Sequence, residues 1–169
     1  MTYHFFYGGV LSQWYPCAFE FGDAHYNCAE QAMMAAKAKM FGDGETLLAI
    51  MNSSDPHEQK TLGRCVRGFD AGQWNTHARE IVYWRNYAKF QQNPDLREEL
   101  YATRPATIVE ASPTDRLWGI GLSEADPKRF DPKNWRGANW LGEVLTAVRD
   151  GHPSHWAKTG FSYDQPPPI

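Results

Sequence analysis

Two opposite charges, Glu30 and Lys37, lie in the alanine- and methionine-rich run Tyr26-Asn27-Cys28-Ala29-Glu30-Gln31-Ala32-Met33-Met34-Ala35-Ala36-Lys37-Ala38-Lys39-Met40. At about 3.6 residues per turn, Glu30, Met33, Met34 and Lys37 recur as i, i+3, i+4 and i+7, so both charges fall on one apolar stripe. A charge on a buried face is costly unless it is paired, hydrated or used. Two of them roughly 10 Å apart along a helix axis predict a pocket for a polar ligand. A carboxyl group there suits proton transfer, and an amine held among methionines suits anion binding or nucleophilic attack. Each residue also has an ordinary structural reading. Glu30 stands three residues after Asn27, as the reach-back member of a capping box, and a lysine can snorkel past methionines to water.

A second group follows the β-branched run Thr107-Ile108-Val109-Glu110-Ala111. Glu110 closes this short buried strand, and Asp115 and Trp118 lie in the turn-rich loop Ser112–Gly121, so two carboxylates and an aromatic plane meet near a strand end. Structural readings exist here too: Glu110 can pair with an arginine, Asp115 can cap a turn through Ser112-Pro113, and Trp118 can anchor a core. Other patterns carry less. His152-Pro153-Ser154-His155 has a metal-like spacing without a rigid helix or a carboxylate partner, so no metal ligand is assigned. Gly8-Gly9 and Gly119-Ile120-Gly121 lack the lysine and hydroxyl of a phosphate loop, and no serine-centred elbow suggests acyl transfer. No cofactor is expected.

The elements that position these residues read as α+β. Strands are predicted around Tyr3–Tyr7, Ala18–Phe21 and Ala24–Tyr26, with Gly22-Asp23 as a hairpin turn. A helix follows from an Asn27 cap to a Gly42 stop, a second from Ser54-Asp55-Pro56 to about Val66, and a third over about Thr76–Gln91. Asn93-Pro94 breaks that one before a short helix at Asp95–Tyr101. Residues Ala125–Arg136 show no periodicity and read as a surface loop or lid. A last amphipathic helix covers Asn139–Arg149, with Asn139 as a cap. The expectation is one compact domain over residues 1–150, predominantly helical with a small β-sheet or hairpin, and a loosely ordered tail over 151–169.

With 169 residues, one core suffices. The net charge of −3 argues against holding nucleic acid through a broad basic face, though not against brief contact. Three cysteines without C-x-x-C spacing fit reduced thiols, hence a cytoplasmic protein, and neither an export signal nor a membrane span is expected.

Several motifs in order make a specific pattern: Phe6-x-Gly-Gly-x-Leu-Ser12-Gln-Trp14-Tyr-Pro16, Tyr26-Asn-Cys-Ala-Glu30-Gln31 through Lys37, Leu62-Gly63-Arg64, Lys89-Phe90-x-Gln-Asn93-Pro94-x-Leu-Arg97, Val109 through Gly121, and Asn139-x-Leu141-Gly142. From Phe5 to Arg149 the chain resembles the NADAR superfamily, including its YbiA-like branch. The resemblance implies a hydrolase of a ribose C1′–nitrogen bond, an N-glycosidase. Its implied substrates are ADP-ribose on a guanine base of nucleic acid or, alternatively, phosphoribosylamino-pyrimidine intermediates of riboflavin synthesis. A non-catalytic ADP-ribose or nucleotide reader is the third reading, and retention of both Glu30 and Lys37 counts against it.

Carried over by motif position, Glu30, Lys37 and Asp115 take catalytic roles. Ser12, Trp14, Arg64, Trp74, Glu110, Trp118, Gly119 and Asn139 take substrate-binding ones. Trp14 and the tail beyond Arg149 depart from many YbiA-like sequences, and Trp14 would reshape the pocket rim. The chemistry suits the residues: carboxylates can stabilise positive charge at C1′, Glu30 can protonate the departing base, and Lys37 can hold phosphate or capture ring-opened ribose as a Schiff base. Lys60, Arg64, Trp14 and Trp118 would supply the extra cations and rings that a pyrophosphate and adenosine need, which favours ADP-ribose narrowly.

Overall fold

A computed structural model describes residues 1–151, so the expected tail and its two histidines lie outside the described residues. The described chain comprises two compact units, one of residues 1–12 with 94–151 and one of residues 13–93.

In the second unit, β1 of the hairpin (Phe19–Phe21) pairs antiparallel with β2 (Ala24–Tyr26), as expected from Gly22-Asp23 between them. Gly22 adopts φ 59°, a conformation that an L side chain resists. The chain then enters α1 (Ala29–Met40). Residues Ala29–Ala36 and Ala38 are all buried, so α1 is a central helix rather than an amphipathic one with a single apolar stripe. Its alanines let neighbours approach closely, and α2 (Gly44–Met51), α3 (Pro56–Arg64) and α4 (Ala71–Gln92) all pack on it. A Cβ on Gly63 would collide with the Met34 side chain, which explains the glycine inside α3.

Two helix boundaries differ from the sequence expectation. Helix α2 is absent from the sequence expectation because it is only eight residues long and two glycines, Gly42 and Gly44, stand at its start. Its cap is Asp43, whose carboxylate accepts from the Thr46 amide and is also held by Arg67 at 2.8 Å. Helix α4 begins at Ala71, five residues before the expected start, because Asp70 caps it by accepting from the Gln73 amide at 2.7 Å. Trp74 therefore stands in the first turn of a helix, and is buried.

In the first unit, β3 (Tyr3–Phe6) and β4 (Thr107–Glu110) pair in parallel, with Phe6 opposite Glu110. Helix α6 (Trp140–Asp150) packs on β4 and against α5 (Pro94–Ala102). Val109, Ile120 and Leu122 form an apolar cluster under Tyr3, Phe5 and Trp135. The segment expected to be an aperiodic loop or lid, Ala125–Arg136, instead forms two 3-10 turns, Pro127–Phe130 and Pro132–Asn134, capped by Asp126 and Asp131. The Trp135 indole donates to the Arg129 carbonyl at 2.7 Å, and Phe130 packs edge-on to Phe5, so this segment is fastened down. Two adjacent Asp-Pro pairs, Asp126-Pro127 and Asp131-Pro132, are the sequence signal: an aspartate cap with proline directly after it. No described helix is long and apolar enough to cross a membrane.

Candidate active site

The start of α1 decides how Glu30 should be read. The cap is Cys28 rather than Asn27: its sulfur accepts from the Gln31 amide at 3.4 Å, and its thiol donates to Gln59 Oε1 at 3.1 Å. Burial pushes the thiol up to about 11, which keeps it protonated as a donor. The residue that reaches back is Gln31, whose Oε1 accepts from the Asn27 amide at 2.8 Å. Gln31 Nε2 donates to the Ile50 carbonyl, and Gln59 Nε2 donates to Asn27 Oδ1 and the Ser53 carbonyl. This amide network joins α1, the end of α2 and the start of α3. The capping task expected of Glu30 is thus performed by Cys28 and Gln31. Glu30 is buried at the second helical position, with its own amide donating to the Gln13 carbonyl at 2.9 Å.

Two helical turns onward, Lys37 is half-buried. Its ammonium lies 4.4 Å from the centroid of the Phe69 ring and 5.9 Å from that of Trp74. Burial lowers its pKa from the ordinary lysine value; Glu30 pulls the other way, and the Arg64 guanidinium adds to the lowering. Arg64 is exposed at the end of α3, and its charge is felt at Lys37. Trp14 is also exposed, with the His57 ring edge-on at 6.1 Å and the Lys60 ammonium 5.9 Å from its centroid. An exposed indole beside a lysine ammonium is suited to stacking on a base beside a phosphate.

In the first unit, Asp115 is used as a backbone clamp. Its Oδ1 accepts from the amides of Leu117 and Trp118 at 2.9 and 2.7 Å, while its own amide donates to Ser112 Oγ at 3.1 Å. That is the turn-capping alternative. Asp115 sets where Trp118 leaves the loop, and the half-buried indole packs edge-on against Trp140 at 5.7 Å. Gly119 is a packing necessity, because a Cβ there would come within 2.9 Å of the Ser112 side chain and 3.1 Å of the Glu110 carbonyl. Asn139 makes no side-chain cap on α6. It adopts φ 55°, which asparagine tolerates, and its amide accepts from the Glu110 N–H at 3.0 Å and donates to the Ile108 carbonyl at 3.1 Å. It acts on β4 as a neighbouring strand would. Glu110 is half-buried at the strand end, and Ser12 closes a turn by donating its amide to Gly9.

Residues 5–151 match the NADAR domain. The chain belongs to the NADAR domain family. The N-glycosidase R617 of Acanthamoeba polyphaga mimivirus is 42% identical over 163 residues, covering 88% of this chain and 95% of that protein. The riboflavin biosynthesis protein VVA0006 of Vibrio vulnificus is 25% identical, covering 87% of this chain but 36% of that protein. Among solved structures, the NMR structure of the E. coli protein YbiA superposes with a TM-score of 0.72 at 25% identity, covering 91% of this chain and 90% of that one. The α+β NADAR fold expected from the sequence is the fold observed.

Two features of this NADAR domain escaped the sequence reading. Phe69, the ring nearest to the Lys37 ammonium, was passed over as part of a turn; the Asp70 cap immediately after it was the available signal. Gln13 sits between the two expected binding residues Ser12 and Trp14, and only coordinates show that its carbonyl holds the Glu30 amide.

Proposed function

We propose that this NADAR domain is an N-glycosidase that hydrolyses a ribose C1′–nitrogen bond, with Glu30 and Lys37 as the reacting pair. The observation that carries the reading is the capping arrangement of α1: Cys28 accepts from the Gln31 amide and Gln31 reaches back to the Asn27 amide, so the cap is closed without Glu30, which is buried on the same helix as the half-buried Lys37. In the reaction, the C1′–N electron pair leaves with the base, Glu30 supplies the proton that the departing nitrogen needs, and water adds its hydroxyl to C1′ while its remaining proton returns to Glu30. In a covalent variant, Lys37 Nζ attacks C1′ of the ring-opened sugar, the base departs with a proton, and water hydrolyses the resulting imine to release sugar and regenerate the amine. The lowered pKa of Lys37 supports this route, because only a neutral amine is nucleophilic.

The favoured substrate is ADP-ribose joined to a guanine base of nucleic acid. The exposed Trp14 with Lys60 and His57 beside it, and Arg64 near Lys37, offer the ring and cations that a pyrophosphate and adenosine require. The second reading, disposal of a phosphoribosylamino-pyrimidine, draws support from the likeness to a protein named for riboflavin biosynthesis. Asp115 takes a positioning role for Trp118. Trp118 and Glu110 are proposed as substrate residues on the family resemblance. Assay of purified protein on an ADP-ribosylated guanine oligonucleotide and on the phosphoribosylamino-pyrimidine decides between substrates. Release of free ADP-ribose at the higher kcat/KM supports the first; preferred cleavage of the pyrimidine substrate selects the second, and cleavage of neither overturns the enzymatic reading.

A further inference from the structure

Gln13 is 8% exposed, and both ends of its side-chain amide, Nε2 and Oε1, are buried without a hydrogen-bond partner among the described residues. Folded proteins rarely tolerate this, since each unsatisfied buried polar group costs about 1–3 kcal/mol. The neighbouring buried amides show the ordinary outcome: Gln31 and Gln59 each engage both their donor and their acceptor. Gln13 is also fixed in place, because its carbonyl accepts the Glu30 amide at 2.9 Å, which makes it a direct neighbour of the proposed proton donor.

We propose that the Gln13 carboxamide binds the leaving base, pairing its N–H and C=O with an adjacent C=O and N–H, the lactam edge of that base. This inference rests on the reading of Glu30 as the group that protonates the departing nitrogen. That reading puts Gln13, whose carbonyl holds the Glu30 backbone amide, on the base side of the scissile bond. A primary carboxamide presents one donor and one acceptor in a plane, the pairing that asparagine and glutamine use for two-point recognition of base edges. Both guanine and a pyrimidinedione carry a lactam, so the same amide serves either substrate class, and the bound base satisfies the two buried atoms that lack a partner among the described residues.

The test uses Gln13→Leu in the full chain, with guanosine and 5,6-diaminouracil as the base probes and ADP-ribose and ribose 5-phosphate as the sugar probes. Equilibrium binding of each is measured, together with the urea midpoint. The expected result is a midpoint unchanged or raised, since no internal bond is lost, together with at least a roughly tenfold loss of affinity for whichever base probe the wild type binds. Sugar-probe binding should be unchanged. Gln13→Glu, which keeps the size but replaces the donor with a second acceptor, should weaken base binding similarly. A lowered midpoint with base affinity retained would overturn the proposal, and so would loss of sugar binding alone. Failure of both base probes to bind the wild type also overturns it. Because these are binding measurements, they stand apart from the turnover of Glu30→Gln, whose failure would strike the reading of Glu30 itself.

Discussion

Helix α1 and the loop Ser112–Gly121 present the same kind of sequence signal, acidic residues beside apolar ones in a family motif, and the structure treats them differently. In the loop, Asp115 clamps two backbone amides and thereby shapes the chain. In α1, the equivalent tasks belong to Cys28 and Gln31, and Glu30 and Lys37 remain as charges on a central helix. A charged residue in a motif is chemically informative only once the backbone's own donors and acceptors have been accounted for.

The largest effect expected on the α1 side of this comparison comes from Lys37. Lys37→Met should fold normally and lower turnover at least roughly a hundredfold. Borohydride added during turnover should fix an adduct on Lys37 of the wild type, mapped by mass spectrometry; absence of any adduct restricts Lys37 to a fixed cation. In the other unit, Asn139→Leu should leave the Glu110 N–H and the Ile108 carbonyl without their side-chain partner and cost about 2–4 kcal/mol in urea unfolding. A cost near zero would show that Asn139 is not structural and return it to the binding residues. Loss of the Cys28 cap is smaller. Cys28→Ala should cost about 1 kcal/mol, with Cys28→Ser restoring most of it and turnover changed little by either.

A buried amine elsewhere sharpens the contrast with Lys37. Lys89 is fully buried in α4, and desolvation brings its pKa down to about 8. Below pH 8 it is protonated in both the folded and unfolded chain, and the folded state bears the net cost of burying that charge, offset in part by the Phe90 ring. Between about 8 and the ordinary lysine value, the folded chain sheds the proton that the unfolded chain keeps, so stability rises with pH. Lys89→Met should therefore be more stable than the wild type at pH 7 by about 1 kcal/mol or more, with the advantage shrinking as the pH approaches 10. Urea unfolding at both pH values checks the sign; an advantage that grows with pH contradicts it.

Much of this was legible in the sequence. The hairpin at Gly22-Asp23, the α1 run, the break at Asn93-Pro94 and the buried strand before Glu110 all rest on local signals, periodicity and turn residues, and each is observed. What escaped depended on which of several candidate caps the chain uses. Cysteine is an uncommon cap, so the sequence points to Asn27, with reach-back as one of two readings of Glu30, whereas Cys28 is the cap and Gln31 reaches back to the Asn27 amide. Asp43, Asp70, Asp126 and Asp131 each cap a helix or 3-10 turn that was missed or started late. Within the site, the Glu30 and Lys37 spacing was readable, but the Phe69 ring over the amine and the open carboxamide of Gln13 are tertiary facts without a periodic signature.

The comparison between helix and loop is tested most directly by two matched carboxylate-to-amide changes measured side by side, Glu30→Gln and Asp115→Asn, each assayed for kcat and KM on the preferred substrate. Asp115→Asn keeps the Oδ1 acceptor and should retain turnover within roughly fivefold, whereas Glu30→Gln should keep its fold and its ADP-ribose affinity and lose at least roughly a hundredfold in kcat. Near-normal kcat in Glu30→Gln, or a collapse in Asp115→Asn as deep as that of Glu30→Gln, would contradict the account.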